Sequence, residues 1–312
     1  MTTVEETGTR EGGHSAKAGA RLNVSVIGAG VIGVDLTTKI MSSDHLDLRL
    51  LAGRDAATPG LRRAARSGVP VASEGIQSLL DAEDDFDVVF DATNASSHAE
   101  HAEKLAASGA LLIDLTPSRA GHMVFPTVNS ADISAHRDIS LVTCGGQASV
   151  PILHAISKVH EIDYIEVVTT AGTRSAGRAT RLNLDEYLET TQEAVRHFTG
   201  VEDVKTLVNV SPARPPATFR VAMYVVGRDL TTDSVRAAVA EAAEELRTFV
   251  RGYAVKVCTV KESMAFVSVE ITSAGDRLPQ YAGNIDIINS AAIRIAESYA
   301  KDRLSAASRE TS

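Results

Sequence analysis

Two cysteines occur in 312 residues, too few for a disulfide framework, so a reducing, cytoplasmic setting is expected. Basic charge is also short: 31 Lys and Arg against 40 Asp and Glu leave a net charge of -9, without the positive footprint of a nucleic-acid binder. No apolar run approaches the ~20 residues of a membrane span, so no membrane association is expected. The opening stretch MTTVEETGTREGGHSAKAGA holds no apolar signal-peptide core. It is polar and rich in Gly, Thr and Glu, and residues 1–20 are expected to form a disordered tail. What is present is ordinary for a soluble globular chain: 44% hydrophobic and 23% charged residues, with a length that suits about two domains.

Short apolar runs set the fold. They are LNVSVI (22–27), LDLRLLA (46–52), FDVVFDAT (86–93), ALLIDLT (110–116) and ISLVT (139–143). Helical candidates at 31–42, 60–67, 75–82 and 98–108 lie between them. This alternation predicts βαβ units, right-handed crossovers and a doubly wound parallel sheet. After residue 150 the pattern changes. A helix is predicted over PILHAISKV (151–159), with Pro151 in its first turn. Strands are predicted at 163–171, 205–210, 218–227, 253–260 and 264–272, and helices at 184–199 and 231–250. Few helical crossovers separate these strands, which predicts a mixed or antiparallel sheet. SPARPP (211–216) reads as a turn. A last helix begins near Asn284, with Ile288, Ala292, Ile295 and Tyr299 on one face. The expected class is α/β: an N-terminal Rossmann dinucleotide-binding domain (21–144), on which the C-terminal helix (284–304) packs back, and a second α+β domain (145–283).

VIGAGVIG carries Gly28, Gly30 and Gly33 in G-x-G-x-x-G spacing, directly after the first strand and before a helix. Gly28 permits the turn, Gly30 lets backbone approach a pyrophosphate, and Gly33 lets helix and sheet pack closely. The helix N-terminus adds partial positive charge. The second strand ends at Gly53-Arg54-Asp55. Asp55 suits the ribose 2′-hydroxyl of NAD and Arg54 the 2′-phosphate of NADP, so both cofactors stay open.

LVTCGGQASVP (141–151) ends an apolar run on Cys144, followed by two glycines. The end of a strand in an open α/β sheet is where ligands bind. A helix start there favours the thiolate. The Gly145 and Gly146 amides are candidate oxyanion donors. A thiolate beside a nicotinamide suits addition to an aldehyde, hydride loss and a thioester. Cys258 reads as an ordinary packed residue. His98 and His101 read as a solvated helix face and no metal site is expected; DAEDDFD (81–87) reads as a solvated loop. Of the histidines beyond Cys144, namely His154, His160 and His197, none has a strand-end context, which weakens a Cys-His mechanism. Arg174, Arg178 and Arg181 read either as a charged surface turn or as a grip on the phosphates of NADP or coenzyme A.

The segments VIGAGVIGVDL, DATNASSHAE, LIDLTPS, VTCGGQASVPI, TRSAGRATRLNLDEYLETT and YAGNIDI make the chain resemble the acylating acetaldehyde dehydrogenase family over most of 22–300. The resemblance implies a Rossmann domain joined to an α+β catalytic and dimerisation domain. It implies oxidation of a short aldehyde to acyl-coenzyme A, with NAD or NADP as oxidant and coenzyme A as co-substrate, in aromatic hydrocarbon catabolism. It also implies a homodimer, in complex with a 4-hydroxy-2-oxoacid aldolase. By this resemblance Cys144 is the acyl-thioester nucleophile, and Ala29, Gly30, Val31 and Ile32 bind the cofactor phosphates. Gly172, Thr173, Arg174, Ser175, Ala176, Gly177, Arg178, Ala179, Thr180 and Asn284 would lie along the dinucleotide. The Asn284 amide suits the nicotinamide carboxamide. Three segments depart from the family. PPATFRVAMY keeps Arg220 but has Val221 in place of an acid proposed to assist the cysteine. The long loop before the final strand is missing, and SAGRAT has Arg178 and Ala179 for Pro-Gly. A semialdehyde-type dehydrogenase releasing a free acid, an acyl-thioester reductase, and a weakened partner subunit of an aldolase are the other readings.

Overall fold

Among the described residues, seven parallel strands form the first sheet, in the order β3-β2-β1-β4-β5-β7-β6. They are β1 (Leu22–Ile27), β2 (Leu46–Ala52), β3 (Val71–Ala72), β4 (Val88–Asp91), β5 (Leu111–Asp114), β6 (His122–Met123) and β7 (Asp138–Ser140). The computed structural model describes residues 21–82, 86–274 and 277–310. The expected tail at 1–20, and part of the acidic loop at 81–87, lie outside the described residues.

The central strands of this sheet are buried on both faces, as their continuous apolar runs require. Helices α1 (Val31–Met41), α2 (Pro59–Arg66), α3 (Gln77–Leu80) and α4 (Ala95–Leu105) connect them. The final helix, α9 (Gly283–Glu310), packs on α1 and adds Ile288, Ala292, Ile295 and Tyr299 to the same core. Polar ties fix it there, among them Lys39 to Asp286 at 2.7 Å, Asn289 to Asp35 at 2.8 Å, and Ser43 to Glu297 at 2.6 Å.

The second sheet has five strands in the order β11-β12-β10-β8-β9. These are β8 (Ile162–Gly172), β9 (Val204–Ser211), β10 (Phe219–Gly227), β11 (Tyr253–Lys261) and β12 (Met264–Ile271). All pairs are antiparallel except β8–β9, which is parallel and bridged by the short α6 (Arg178–Leu182) and by α7 (Leu184–Thr199). A parallel pair needs such a crossover. Helix α5 (Cys144–Ser157), α7 and α8 (Thr232–Arg247) cover one face. The strands alternate accordingly; β10, for example, buries Phe219, Val221, Met223 and Val225.

Two expectations are corrected. The helix predicted at 151–159 begins seven residues earlier, at Cys144, and Pro151 lies inside it. Thr143 supplies the start signal by accepting from the Gly146 N–H at 2.9 Å. The strand predicted at 139–143 stops at Ser140, because Val142 turns the chain with φ 64°. Cys144 therefore opens a helix rather than closing a strand.

Candidate functional site

A cleft of about 1320 Å³ opens along the C-terminal ends of the parallel strands. Gly28, Ala29, Gly30, Val31 and Ile32 line one end and Cys144 lies on its wall. Gly28 takes φ +108°, which a side chain resists. Gly33 faces away from the cleft against the Gly28 carbonyl, 1.8 Å from where a Cβ would stand, so it serves the packing of α1 on β1. The space beside Gly30 is open, and Gly30, as N-cap of α1, brings no side chain to its first amides. Arg54 and Asp55 both line the cleft and are exposed.

Asn284, at the start of α9, is buried in the same cleft. Its Nδ2 donates to the Ser175 carbonyl at 3.1 Å, while its Oδ1 has no partner. The Thr116 hydroxyl and the Asn183 Oδ1, also buried and on the cleft wall, lack partners as well. Orphaned buried acceptors are costly unless a ligand satisfies them. An open glycine loop, an uncapped helix start and these acceptors fit a dinucleotide. Ser175, Gly177 and Thr180 also line the cleft. Gly172, Thr173, Arg174 and Ala176 are not among its lining residues. Thr173 instead bonds the Ser211 carbonyl, and Arg174 is exposed. Arg181 bonds the carbonyls of Thr173 and Ala176, so it closes the segment on itself. Arg178 and Ala179 lie in α6, and their side chains are outside the described residues.

Cys144 is partly buried and packs against the apolar cores of both sheets. Val142, two residues earlier, is a β-branched residue held at positive φ, a conformation that costs about 1–3 kcal/mol. Burial pushes the Cys144 thiol up to about 11. A hydrogen bond from Tyr187 and the Gly145 and Cys144 amides pull the other way without prevailing. The helix start and nearby N–H groups, expected to favour the thiolate, do pull that way, but desolvation outweighs them. Tyr187 Oη lies 3.4 Å from Sγ and accepts from the Gly145 N–H at 2.9 Å. The Gly146 N–H is taken by Thr143. Both amides expected to face an oxyanion are thus already engaged. Val221 is fully buried in the apolar core beneath the second sheet, and Arg220 pairs with Glu270 at 2.6 Å on the other face.

His98 and His101 are not a solvated helix face. Both are buried, and their Nδ1 atoms meet Asp91 Oδ2 at 3.0 and 2.8 Å. His98 Nε2 reaches Asp138 at 3.2 Å, and Asp114 lies 3.5 Å from His98 Nδ1. Burial opposes charge on His98, but Asp138, Asp91 and the Asp114 charge raise it to about 10. Burial also opposes charge on Asp91, yet His101 and His98 hold it at about 2. Burial, helped by the Asp91 charge, lifts Asp114 to about 7. These acids hold the strand-end turns of the cleft: Asp91 accepts from the Thr93 N–H and Asp114 from the Thr116 N–H. Among the described residues no group of three or more His, Cys, Asp or Glu is arranged to hold a metal ion.

Tyr187 and the Asp91–His98 cluster escaped the sequence reading. A signal existed for the acids, since VVFD and LLID each end a buried strand on Asp. None existed for Tyr187, which lies 43 residues from Cys144.

A parallel nucleotide-binding sheet, a mixed second sheet and a thiol at their junction define an oxidoreductase of the semialdehyde dehydrogenase type of fold. Residues 23–136 match the family model for the semialdehyde dehydrogenase NAD binding domain, and residues 144–279 that for prokaryotic acetaldehyde dehydrogenase, dimerisation. The acetaldehyde dehydrogenase of Streptomyces griseus is 49% identical over 277 residues, covering 89% of this chain and 90% of that protein. That of Burkholderia thailandensis is 41% identical over 279 residues, covering 89% and 94%. The chain belongs to the acetaldehyde dehydrogenase family, oxidoreductases acting on aldehydes. In fold alone it also matches aspartate semialdehyde dehydrogenase II of Vibrio cholerae, with a TM-score of 0.62 and 15% identity over 91% of this chain and 99% of that one.

Proposed function

We propose that the chain oxidises a short aldehyde such as acetaldehyde to a thioester on Cys144 and passes the acyl group to coenzyme A. The observation that carries this reading is that Cys144 shares one cleft with the glycine loop and with the unpartnered Asn284 Oδ1. Gly28 to Ile32 would hold the cofactor phosphates, Arg54 or Asp55 its adenosine ribose, and Asn284 Oδ1 would accept from the carboxamide N–H. NAD or NADP, when bound, supplies the hydride acceptor. The residues of the chain do the rest. Sγ loses its proton and bonds to the aldehyde carbon, and the carbonyl π electrons move to oxygen. Once the thioester has formed, the coenzyme A thiol attacks it and Cys144 leaves as the free sulfur.

The exposed face of the second sheet supports a homodimer. Leu207, Val168, Ala222, Ser268 and Val257 align across five strands, and Leu207, Tyr224, Val257 and Met264 are exposed there. This segment is the one that matches the dimerisation model, and a second copy is the occupant proposed. Supply of the aldehyde by a 4-hydroxy-2-oxoacid aldolase, bound as a partner, belongs to the same reading, as does a cytoplasmic setting.

The test is mass spectrometry of the chain after incubation with acetaldehyde and NAD+ or NADP+. An acyl adduct on the Cys144 peptide that coenzyme A removes supports the reading. An adduct released only by water points to a free-acid dehydrogenase, and no adduct with either cofactor overturns both.

A further inference from the structure

The Tyr187 hydroxyl meets the Cys144 sulfur, and its surroundings are built around that contact. The phenol is buried, and Oη accepts the Gly145 N–H at 2.9 Å. That leaves its own proton to donate, and Sγ lies 3.4 Å away. Gly145 is where it is for a steric reason. A Cβ there would stand 2.4 Å from Tyr187 Oη and 2.5 Å from Thr169 Oγ1. The glycine is the space that the phenol occupies. On the second sheet, the β10 positions that face this helix layer, Val221 among them, are apolar.

We propose that Tyr187 is a catalytic residue: its hydroxyl donates to the Cys144 sulfur and holds the anion once the thiol has lost its proton to solvent. The Gly145 amide, by donating to the same oxygen, orients the phenol and strengthens it as a donor. Tyr187 keeps its own proton throughout, because burial and the neighbouring sulfur push it well above the ordinary tyrosine value. The proposal rests on the reading of Cys144 as the nucleophile and adds the group that makes it one.

Alkylation of Cys144 by iodoacetamide tests this without aldehyde or cofactor. The rate is followed from pH 7 to 10 by mass spectrometry of the Cys144 peptide, which separates it from Cys258. A hydrogen bond to a charged group shifts a thiol by about one to two pH units. Greater nucleophilicity of the more basic thiolate offsets part of this. Tyr187→Phe is therefore expected to slow alkylation by about three- to tenfold. It should lower kcat/KM for the aldehyde by at least as much, with KM for the dinucleotide unchanged. Gly145→Ala, whose methyl displaces the phenol oxygen, gives a second arm with the same expected slowing. Alkylation at the wild-type rate or faster in folded Tyr187→Phe overturns the proposal. So does a rise in kcat/KM, which would make the freed Gly145 amide the useful donor. A wild-type chain that alkylates as expected but forms no acyl adduct refutes the dehydrogenase reading and leaves the tyrosine contact standing.

Discussion

His98, fully buried on α4, lies 3.0 Å through Nδ1 from Asp91 at the end of β4. The pair ties stability to pH. The raised His98 value, about 10, means that its contribution is full below the unfolded value near 6.5 and is lost as pH climbs through about 10. The depressed Asp91 value, about 2, gives a contribution present above about 4 and lost as pH falls through 2. Asp114 acts in reverse, since an acid held at about 7 costs stability as pH rises from about 4 to 7. Between pH 7 and 10 His98 dominates, so the melting temperature should fall across that window. His98→Leu takes the shared cation from Asp91 and Asp114, leaving Asp91 with His101 and Thr93 and Asp114 with Thr116 and Ser118, and should cost about 3–5 kcal/mol by denaturant unfolding. A melting temperature flat from pH 7 to 10 would contradict this account.

Activity should show an alkaline dependence of its own. With the Cys144 thiol raised to about 11, the thiolate fraction grows tenfold per pH unit below that value. The logarithm of kcat/KM should climb with a slope near one from pH 7 to 9. A plateau beginning near pH 7 would mean that the sulfur is far more acidic in the working enzyme.

Asn284→Ala removes the unpartnered acceptor from the cleft and also frees the Ser175 carbonyl. One hydrogen bond of about 1–1.5 kcal/mol corresponds to roughly a tenfold rise in KM for the dinucleotide. The alkylation rate of Cys144 should stay unchanged. An unaltered KM would remove Asn284 from the cofactor site.

Gly33→Ala places a methyl 1.8 Å from the Gly28 carbonyl oxygen, a backbone atom with nowhere to move. Strain should destabilise the glycine loop by about 1–3 kcal/mol and, on the proposed reading, weaken dinucleotide binding together with stability. Circular dichroism melts and fluorescence titration with NADH would report both. A variant that melts and binds as the parent does would show that α1 can shift on β1.

Tyr224→Glu puts charge on the exposed sheet face, where Tyr224 packs against Phe266 with ring centroids 4.7 Å apart. Light scattering should show half the parent mass, because a carboxylate added beside Glu166 and desolvated at an interface without a cation of its own is poorly tolerated. A parent that is already monomeric would remove the dimer from the proposed function.

Much of the frame is legible in the residues. LNVSVI and LDLRLLA coincide with β1 and β2, and the helix expected at 184–199 coincides with α7. Each reads locally, through apolar periodicity and turn chemistry. The start of α5 is masked in the sequence because Pro151 mimics a first-turn proline, while the true signal is Thr143 as N-cap. The burial of His98 and His101 is not legible in the sequence, because polar spacing on a helix looks the same whether the face meets water or buried acids.

The order of apolar runs and the glycine spacing determined the two sheets, the glycine loop and the position of Cys144 at their junction, since backbone geometry and periodic burial act over neighbouring residues. Only the tertiary structure decided the chemistry of that sulfur. Its desolvation between two cores, its contact with Tyr187 43 residues away, and the burial of His98 among three acids depend on groups distant in the chain. Free energies of that kind are set by which surfaces meet, and the order of letters does not state them.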